Sequence, residues 1–241
     1  MAEGNGTTSS IYENGEYLRH HPSWHAEDSD WKARHIYEIL VDHDINPATV
    51  CEVGCGSGIV LQRLSEALVT AERFVGYDVA ADAITMARSN QNERIQFVHA
   101  DLLAIESPQF DLVLAIDVFE HVEDYLGFLR LLRKKGKYFV FHIPLDLSLW
   151  TIVRPNLLLN MREIAGHLHY FNRETALATL ESTGYQIVAR RYTSGGIDLV
   201  KAGWCQPKSL ILRELRRALA ALNPGLAARV LTGFSLLILA Q

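Results

Sequence analysis

Short apolar runs alternate along this chain with segments whose apolar positions return every three or four residues, the pattern of βαβ units on a parallel sheet. The spacing predicts strands over 49–53, 73–77, 95–99, 110–116 and 136–141, with helices between them over 59–69, 81–91 and 125–132. A helix over 174–182, stopped by Gly184, leads to a sixth strand over 185–192, and a seventh covers 234–240. No further helical pattern follows the seventh strand, so it is expected to pair with the sixth as a hairpin rather than to arrive by another crossover. Ahead of the first strand, Trp31, Ile36, Tyr37, Ile39 and Leu40 mark a helix that ends before Asn46-Pro47, with Asp28 to Asp30 offering cap oxygens. The fold class is therefore α/β: a mostly parallel seven-stranded sheet with an antiparallel last strand and a small helical cap.

The 241 residues suit one large domain, and hydrophobic and charged fractions of 49% and 21% exclude a largely disordered chain. We expect an N-terminal tail and lid helices over 1–46 and the main domain over 47–241, with an insertion at about 146–170 and an amphipathic helix at about 208–222. The net charge of −5 excludes an overall basic surface for nucleic acid. Three cysteines, with no CxxC pair, are too few for a disulfide framework and suit a reducing compartment. Residues 1–10 carry no basic, apolar leader, and Asn223, Pro224, Gly225, Arg229 and Gly233 interrupt the apolar C-terminal stretch, so the expected location is the cytoplasm.

The string Val50-Cys51-Glu52-Val53-Gly54-Cys55-Gly56-Ser57-Gly58 ends the first strand and opens a helix. Glycines there let a ligand lie against the backbone at the helix N-terminus. Their spacing is G-x-G-x-G with Ile59 next, whereas the dinucleotide fingerprint requires Gly or Ala at that place. Asp78, followed by Val79, ends the second strand where an acid can accept from both ribose hydroxyls, the favoured role, and it can cap the next helix as well. Asp101-Leu102 after the third strand offers an acceptor for an adenine amino group and an apolar flank, again with a capping alternative. Asp117-Val118-Phe119-Glu120-His121 follows the fourth strand, and ligands of open α/β sheets bind beyond the carboxyl ends of the strands.

These strings together resemble the class I S-adenosylmethionine-dependent methyltransferases, strongly over 47–145 and more loosely over 163–192 and 233–241. The Asp117–His121 string is similar to that of small-molecule enzymes such as the ubiquinone-biosynthesis O-methyltransferases, and lacks the Asn/Asp-Pro-Pro-Tyr string of enzymes that methylate amino groups of DNA or protein glutamine. The resemblance implies S-adenosylmethionine as cofactor, S-adenosylhomocysteine as product and a small-molecule acceptor, with a hydroxyl oxygen favoured. It places the cofactor on Glu52, Gly54, Cys55, Gly56, Gly58, Asp78, Val79, Asp101, Leu102, Asp117 and Val118.

An oxygen acceptor has to shed a proton, which imidazole handles well near neutral pH. The candidates are His142 at the end of the fifth strand, and His167 and His169 in the string Gly166-His167-Leu168-His169, whose alternation would aim both rings the same way. No metal ligands are assigned, since the nearest carboxylate upstream, Glu163, stands at no recognisable spacing. Tyr17, Trp24, His25 and His121 are candidate acceptor contacts, the first three in an aromatic lid segment that could equally pack on the sheet edge. Residues 146–170 are apolar enough to wall an acceptor pocket, and the cationic helix over 208–222 could rest on a membrane surface or pack with its arginines in water. The alternatives are a nicotinamide-dependent oxidoreductase, which would need a catalytic set not visible here, and a non-catalytic S-adenosylmethionine-binding subunit.

Overall fold

In the computed structural model, which describes residues 26–106, 109–199 and 207–241, all seven apolar runs become strands of one sheet. They are β1 (Thr49–Val53), β2 (Arg73–Asp78), β3 (Ile95–His99), β4 (Phe110–Ile116), β5 (Gly136–Pro144), β6 (Ile187–Thr193) and β7 (Ser235–Ala240). The spatial order is β3-β2-β1-β4-β5-β7-β6. The pairings among β1 to β5 are parallel, while β7 runs antiparallel to both β5 and β6. The last strand thus pairs with β6 as expected, but it is wedged between β5 and β6 instead of closing a tight hairpin.

That wedge explains two shifted boundaries. β5 runs to Pro144, three residues past its expected end, because Ile143 and Pro144 stand opposite Leu236 and Ser235 of β7. β6 begins at Ile187 because Tyr185 turns into the core and donates its hydroxyl to the Leu129 carbonyl at 2.8 Å.

Period-2 alternation assigns neighbouring residues to opposite faces of the sheet. Cys51, Val113, Phe139, Phe141 and Ile238 face one apolar layer, and Val50, Leu112, Leu114, Val140 and Leu239 face the other. Helix α1 (Ala26–Val41) and α2 (Ile59–Ala67) cover the second layer through Ile36, Leu40, Leu61 and Leu64. Helix α3 (Ala81–Ala87) ends earlier than expected and tightens into a 3₁₀ turn over Arg88–Asn90. Helix α1 begins before the expected cap, so Asp28 lies inside its first turn and pairs with Lys32 one turn on.

Helices α4 (Tyr125–Leu132), α7 (Arg173–Ser182) and α10 (Pro224–Val230) supply Leu129, Leu132, Ala176, Leu180, Ala227 and Ala228 to the first layer. Between β5 and α7 the insertion folds into α5 (Leu149–Ile152), α6 (Pro155–Asn160) and a π-helical turn over Met161–Ala165. Beyond β6 come α8 (Gly195–Asp198) and the cationic α9 (Pro207–Leu222). Leu212, Leu219 and Ala220 of α9 pack against the first layer, and Arg216 donates to the Thr232 carbonyl, while Ile211, Leu215 and Leu222 face outward.

At the foot of the sheet, Asp111 ties β4 to β1 by accepting from the Ala48 and Thr49 amides and from the Thr49 hydroxyl, at 2.9–3.1 Å. Burial works to raise its carboxyl, but the bonds from Thr49 and Ala48, together with Lys137, outweigh it and hold the group below the ordinary range. Stability from such an acid is present above its unfolded pKa and lost as pH falls through the folded one. Asp111→Asn is therefore expected to cost about 1–2 kcal/mol at neutral pH. In urea denaturation at several pH values the gap to wild type should close on acidification, and a gap that stays constant would contradict this assignment.

Candidate active site

Beyond the carboxyl ends of β1, β2, β4 and β5 lies a cleft of about 650 Å³. One end is built by the turn after β1, where Gly54, Gly56 and Gly58 have φ of 66°, 51° and 74°. A Cβ on Gly54 would stand 2.9 Å from a Val118 methyl, so the turn is pressed directly against the loop after β4. Asp78 spans this turn from the end of β2: it accepts from the Gly56 amide at 2.9 Å and the Ala80 amide at 2.8 Å. Burial raises its carboxyl above the ordinary range, with those two amides opposing the rise.

Glu52 is 2% exposed, and its Oε2 has no hydrogen-bond partner among the described residues. Burial pushes its carboxyl up to about 8, with Lys32 opposing. A buried, unpaired carboxyl oxygen beside a glycine cradle fits the ammonium of an amino-acid-bearing nucleoside, because unmade hydrogen bonds are costly to bury.

Asp117 follows β4 in the left-handed region at φ 54°, where a non-glycine residue is strained. Its Oδ1 meets His142 Nδ1 at 2.6 Å and its Oδ2 meets Lys32 Nζ at 2.8 Å. Burial works against its charge, yet His142 and Lys32 overcome it and hold the carboxyl well below the usual range. Burial likewise works to lower the Lys32 ammonium, and Asp117 and Asp28 outweigh it, so that its pKa is raised. Lys32 is a site residue that sequence reasoning missed: the Asp28/Lys32 spacing was visible, but its partner Asp117 is brought up only by the fold.

The opposite end is polar and histidine-rich. His167 Nδ1 lies 2.7 Å from Asp146 Oδ2, and His121 Nδ1 lies 3.1 Å from the Gly166 carbonyl. Glu120, wholly buried in the 3₁₀ turn after β4, carries two carboxyl oxygens without hydrogen-bond partners. Burial drives its pKa far above the ordinary range, and the charge of Asp117 adds to this. Met161 and Ala165 of the insertion also line the cleft, whereas Leu149, Ile152 and Val153 point outward.

Glu52, Gly54, Cys55, Gly56, Asp78, Val79, Asp117, Val118, His121, His142 and His167 all line the cleft. Gly58 stands just behind them as the residue before α2. The lining does not include Asp101 or Leu102: the Asp101 carboxyl accepts from the Leu103 amide, and Leu102 is wholly buried in the core. The three candidate base histidines are separated. His142 lies within β5 and is engaged at both nitrogens, by Asp117 and by the Thr193 hydroxyl at 2.9 Å. His169 points away from His167, with Nε2 near the Val122 and Glu123 carbonyls and its ring against Tyr125. Tyr17, Trp24 and His25 lie outside the described residues. Trp31, overlooked in favour of Trp24, borders the cleft, its indole bonded to Asp198 at 2.9 Å and edge-on to His142.

A sheet of this order, with a glycine turn after β1 and acids closing β2 and β4, defines a nucleotide-cofactor enzyme of the Rossmann-like class. The chain belongs to the methyltransferase family: a family model described as a methyltransferase domain matches residues 24–190. A ubiquinone biosynthesis O-methyltransferase of Hydrogenovibrio crunogenus is 27% identical over 127 residues, which cover 48% of this chain and 52% of that protein. The chain therefore spans about half the length of the curated relatives it matches. Among solved structures, the magnesium protoporphyrin IX methyltransferase of Synechocystis PCC 6803 with bound S-adenosylhomocysteine superposes with TM-score 0.58 at 15% identity, over 88% of this chain and 82% of that one. A chain of the complex between the Haloferax volcanii Trm112 methyltransferase activator and a methyltransferase gives TM-score 0.67 at 16% identity, over 98% and 96%. These likenesses bear out the expected sheet. Among the described residues no helix is long and apolar enough to cross a membrane.

Proposed function

We propose that this chain transfers a methyl group from S-adenosylmethionine to a hydroxyl oxygen of a small-molecule acceptor. The observation that carries the reading is the surplus of carboxyl groups over amino groups in the cleft. Glu52, Asp78, Asp117 and Asp28 gather around the glycine turn, with Lys32 among them. Such a lining favours a cofactor that brings a sulfonium and an ammonium, and opposes the pyrophosphate of a nicotinamide dinucleotide. When bound, S-adenosylmethionine supplies a methyl on a positively charged sulfur that departs as a neutral thioether.

The chain's own residues hold, orient and screen. Glu52 offers its unpartnered oxygen to an ammonium, Asp78 offers its carboxyl to a ribose diol, and the Gly54–Gly56 backbone lets the ligand approach closely. Asp117 is fixed by Lys32 on one oxygen and by His142 on the other, so His142 orients a carboxylate and is not open to an acceptor. We assign the acceptor oxygen to His167, which lines the cleft with its ring set by Asp146. Alignment of acceptor and methyl supplies most of the rate. The oxygen acceptor is supported by the curated relatives, which are named O-methyltransferases.

Calorimetric titration of the full chain with S-adenosylmethionine and, separately, NAD tests the reading, followed by mass-spectrometric detection of S-adenosylhomocysteine formed with a panel of phenols, catechols and aliphatic alcohols. Binding of the sulfonium cofactor alone and turnover on a hydroxyl compound are expected. Binding of NAD alone, or of neither, would overturn it.

A further inference from the structure

At the acceptor end of the cleft three carboxyl groups meet no lysine or arginine among the described residues. Asp146 follows β5, Glu120 lies in the 3₁₀ turn after β4, and Glu123 stands exposed at the mouth just past that turn. Of the described residues lining the cleft, Lys32 is the one lysine, and no arginine is among them. Lys32 is engaged by Asp28 and Asp117, and it acts on Glu120 more weakly than the neighbouring acids do.

Two of the three acids are deeply buried with acceptor oxygens left over. Glu120 is wholly buried, and neither of its oxygens has a hydrogen-bond partner. Asp146 is 8% exposed; its Oδ2 holds His167, and no described residue donates to its Oδ1. A carboxyl oxygen of Glu120 and a ring nitrogen of His167 lie within 4.8 Å of each other, which sets Glu120 directly behind the cleft wall. The backbone fixes it there, since the amides of Leu168 and His169 donate to the Glu120 carbonyl at 2.9 and 3.1 Å. Buried carboxyls without donors are costly, and mutual repulsion adds to the cost. Holding His167 requires Asp146 alone, so Glu120, Glu123 and the second oxygen of Asp146 have no task within the protein.

We propose that this acid group binds a protonated amine carried by the acceptor, so that the substrate is a hydroxy compound with a cationic nitrogen a few bonds from its hydroxyl. The inference rests on the methyl-transfer reading and narrows its acceptor class. An ammonium brings three N–H donors, and Asp146 Oδ1 and the two Glu120 oxygens are three acceptors without one. The hydroxyl then lies toward His167, the adjoining side chain of the wall, while Val122, Pro144, Met161 and Phe234 enclose the carbon skeleton. A nitrogen that keeps its proton has no lone pair with which to attack the methyl, so the anchor also directs transfer to oxygen. An acceptor bearing a carboxylate or phosphate meets like charge here and is refused.

Phenols bearing an aminomethyl, an ethyl or a carboxylate group at ring position 2, 3 or 4 provide the test, because each trio keeps ring and hydroxyl and changes the charge. Their dissociation constants for the full chain saturated with S-adenosylhomocysteine, in buffer containing chelator, are read by NMR titration. In at least one trio the aminomethyl compound is expected to bind about tenfold more tightly than the ethyl compound, with the carboxylate weakest. Glu120→Gln should bring that ratio to about one, and Glu123→Gln, at the exposed mouth, should lower it about twofold. Thermal unfolding establishes that both variants have folded. Ethyl compounds that bind as well as the amines, absence of binding in every trio, or a preference untouched by both substitutions would overturn the anchor. Turnover with S-adenosylmethionine, followed by mass spectrometry, separates the two ideas. An amine preference without methyl transfer overturns the methyl-transfer reading alone, whereas transfer to oxygen without that preference, or a methyl found on nitrogen, overturns the anchor.

Discussion

Asp78→Ala is expected to weaken binding of S-adenosylmethionine about a hundredfold, equivalent to about 3 kcal/mol. The side chain serves both partners at once. Toward the protein it accepts from Gly56 and Ala80, holding the glycine turn against the head of α3. Toward the ligand it is proposed to accept from the ribose hydroxyls, and a hydrogen bond to a charged group is worth about 1.5–3 kcal/mol. Asp78→Asn preserves the shape but turns one acceptor into a donor, so an intermediate loss is expected. Calorimetry on both variants, with thermal unfolding of each without ligand, provides the check. A loss below about threefold in the Ala variant would remove Asp78 from the ribose site.

The largest effect on stability is expected from Gly58→Ala. Gly58 sits at φ 74°, and a Cβ there would lie 2.5 Å from the Phe97 ring and 3.0 Å from the Ala87 methyl. Left-handed backbone costs an alanine about 1–2 kcal/mol, and crowding a packed interior adds about 1–3 kcal/mol. A total near 2–5 kcal/mol should appear as a lower urea midpoint with unchanged slope. Phe97 is 5% exposed and cannot swing outward, so the strain is not easily shed. In a Phe97→Leu background the penalty of the glycine change should shrink toward the backbone part alone. An equal penalty in both backgrounds would show that the ring is not the obstacle.

The glycine turn and Glu52 were legible because their geometry is local, one strand end, one turn and one helix start, and Asp78 because the βαβ pattern brings the end of the second strand beside that turn. So were the strands, whose apolar runs keep their period whatever they pair with. The other end of the cleft was not. His167 meets Asp146 across 21 residues, His142 meets Thr193 across 51, and Lys32 meets Asp117 from a helix far upstream. No spacing along the chain encodes such meetings. The alternation at His167 and His169 misled because that segment is not a strand, so its rings part company. Helix α10 was missed although its signal was present: Asn223 accepts from the Leu226 amide ahead of Pro224, a cap and first-turn pair read as interruptions of an apolar stretch.

The position of β7 also imposes an order of events on a growing chain. Among the described residues β6 bonds to β7 and to no other strand, and β7 lies between it and β5. Ile187–Thr193 can therefore join the sheet only when Ser235–Ala240, later in the chain, is at hand. All strands of the parallel half, β1 to β5, lie earlier in the chain. Without β7 in place, β5 is an open border of the cofactor half, the kind of edge that a chaperone or an aggregating neighbour would meet.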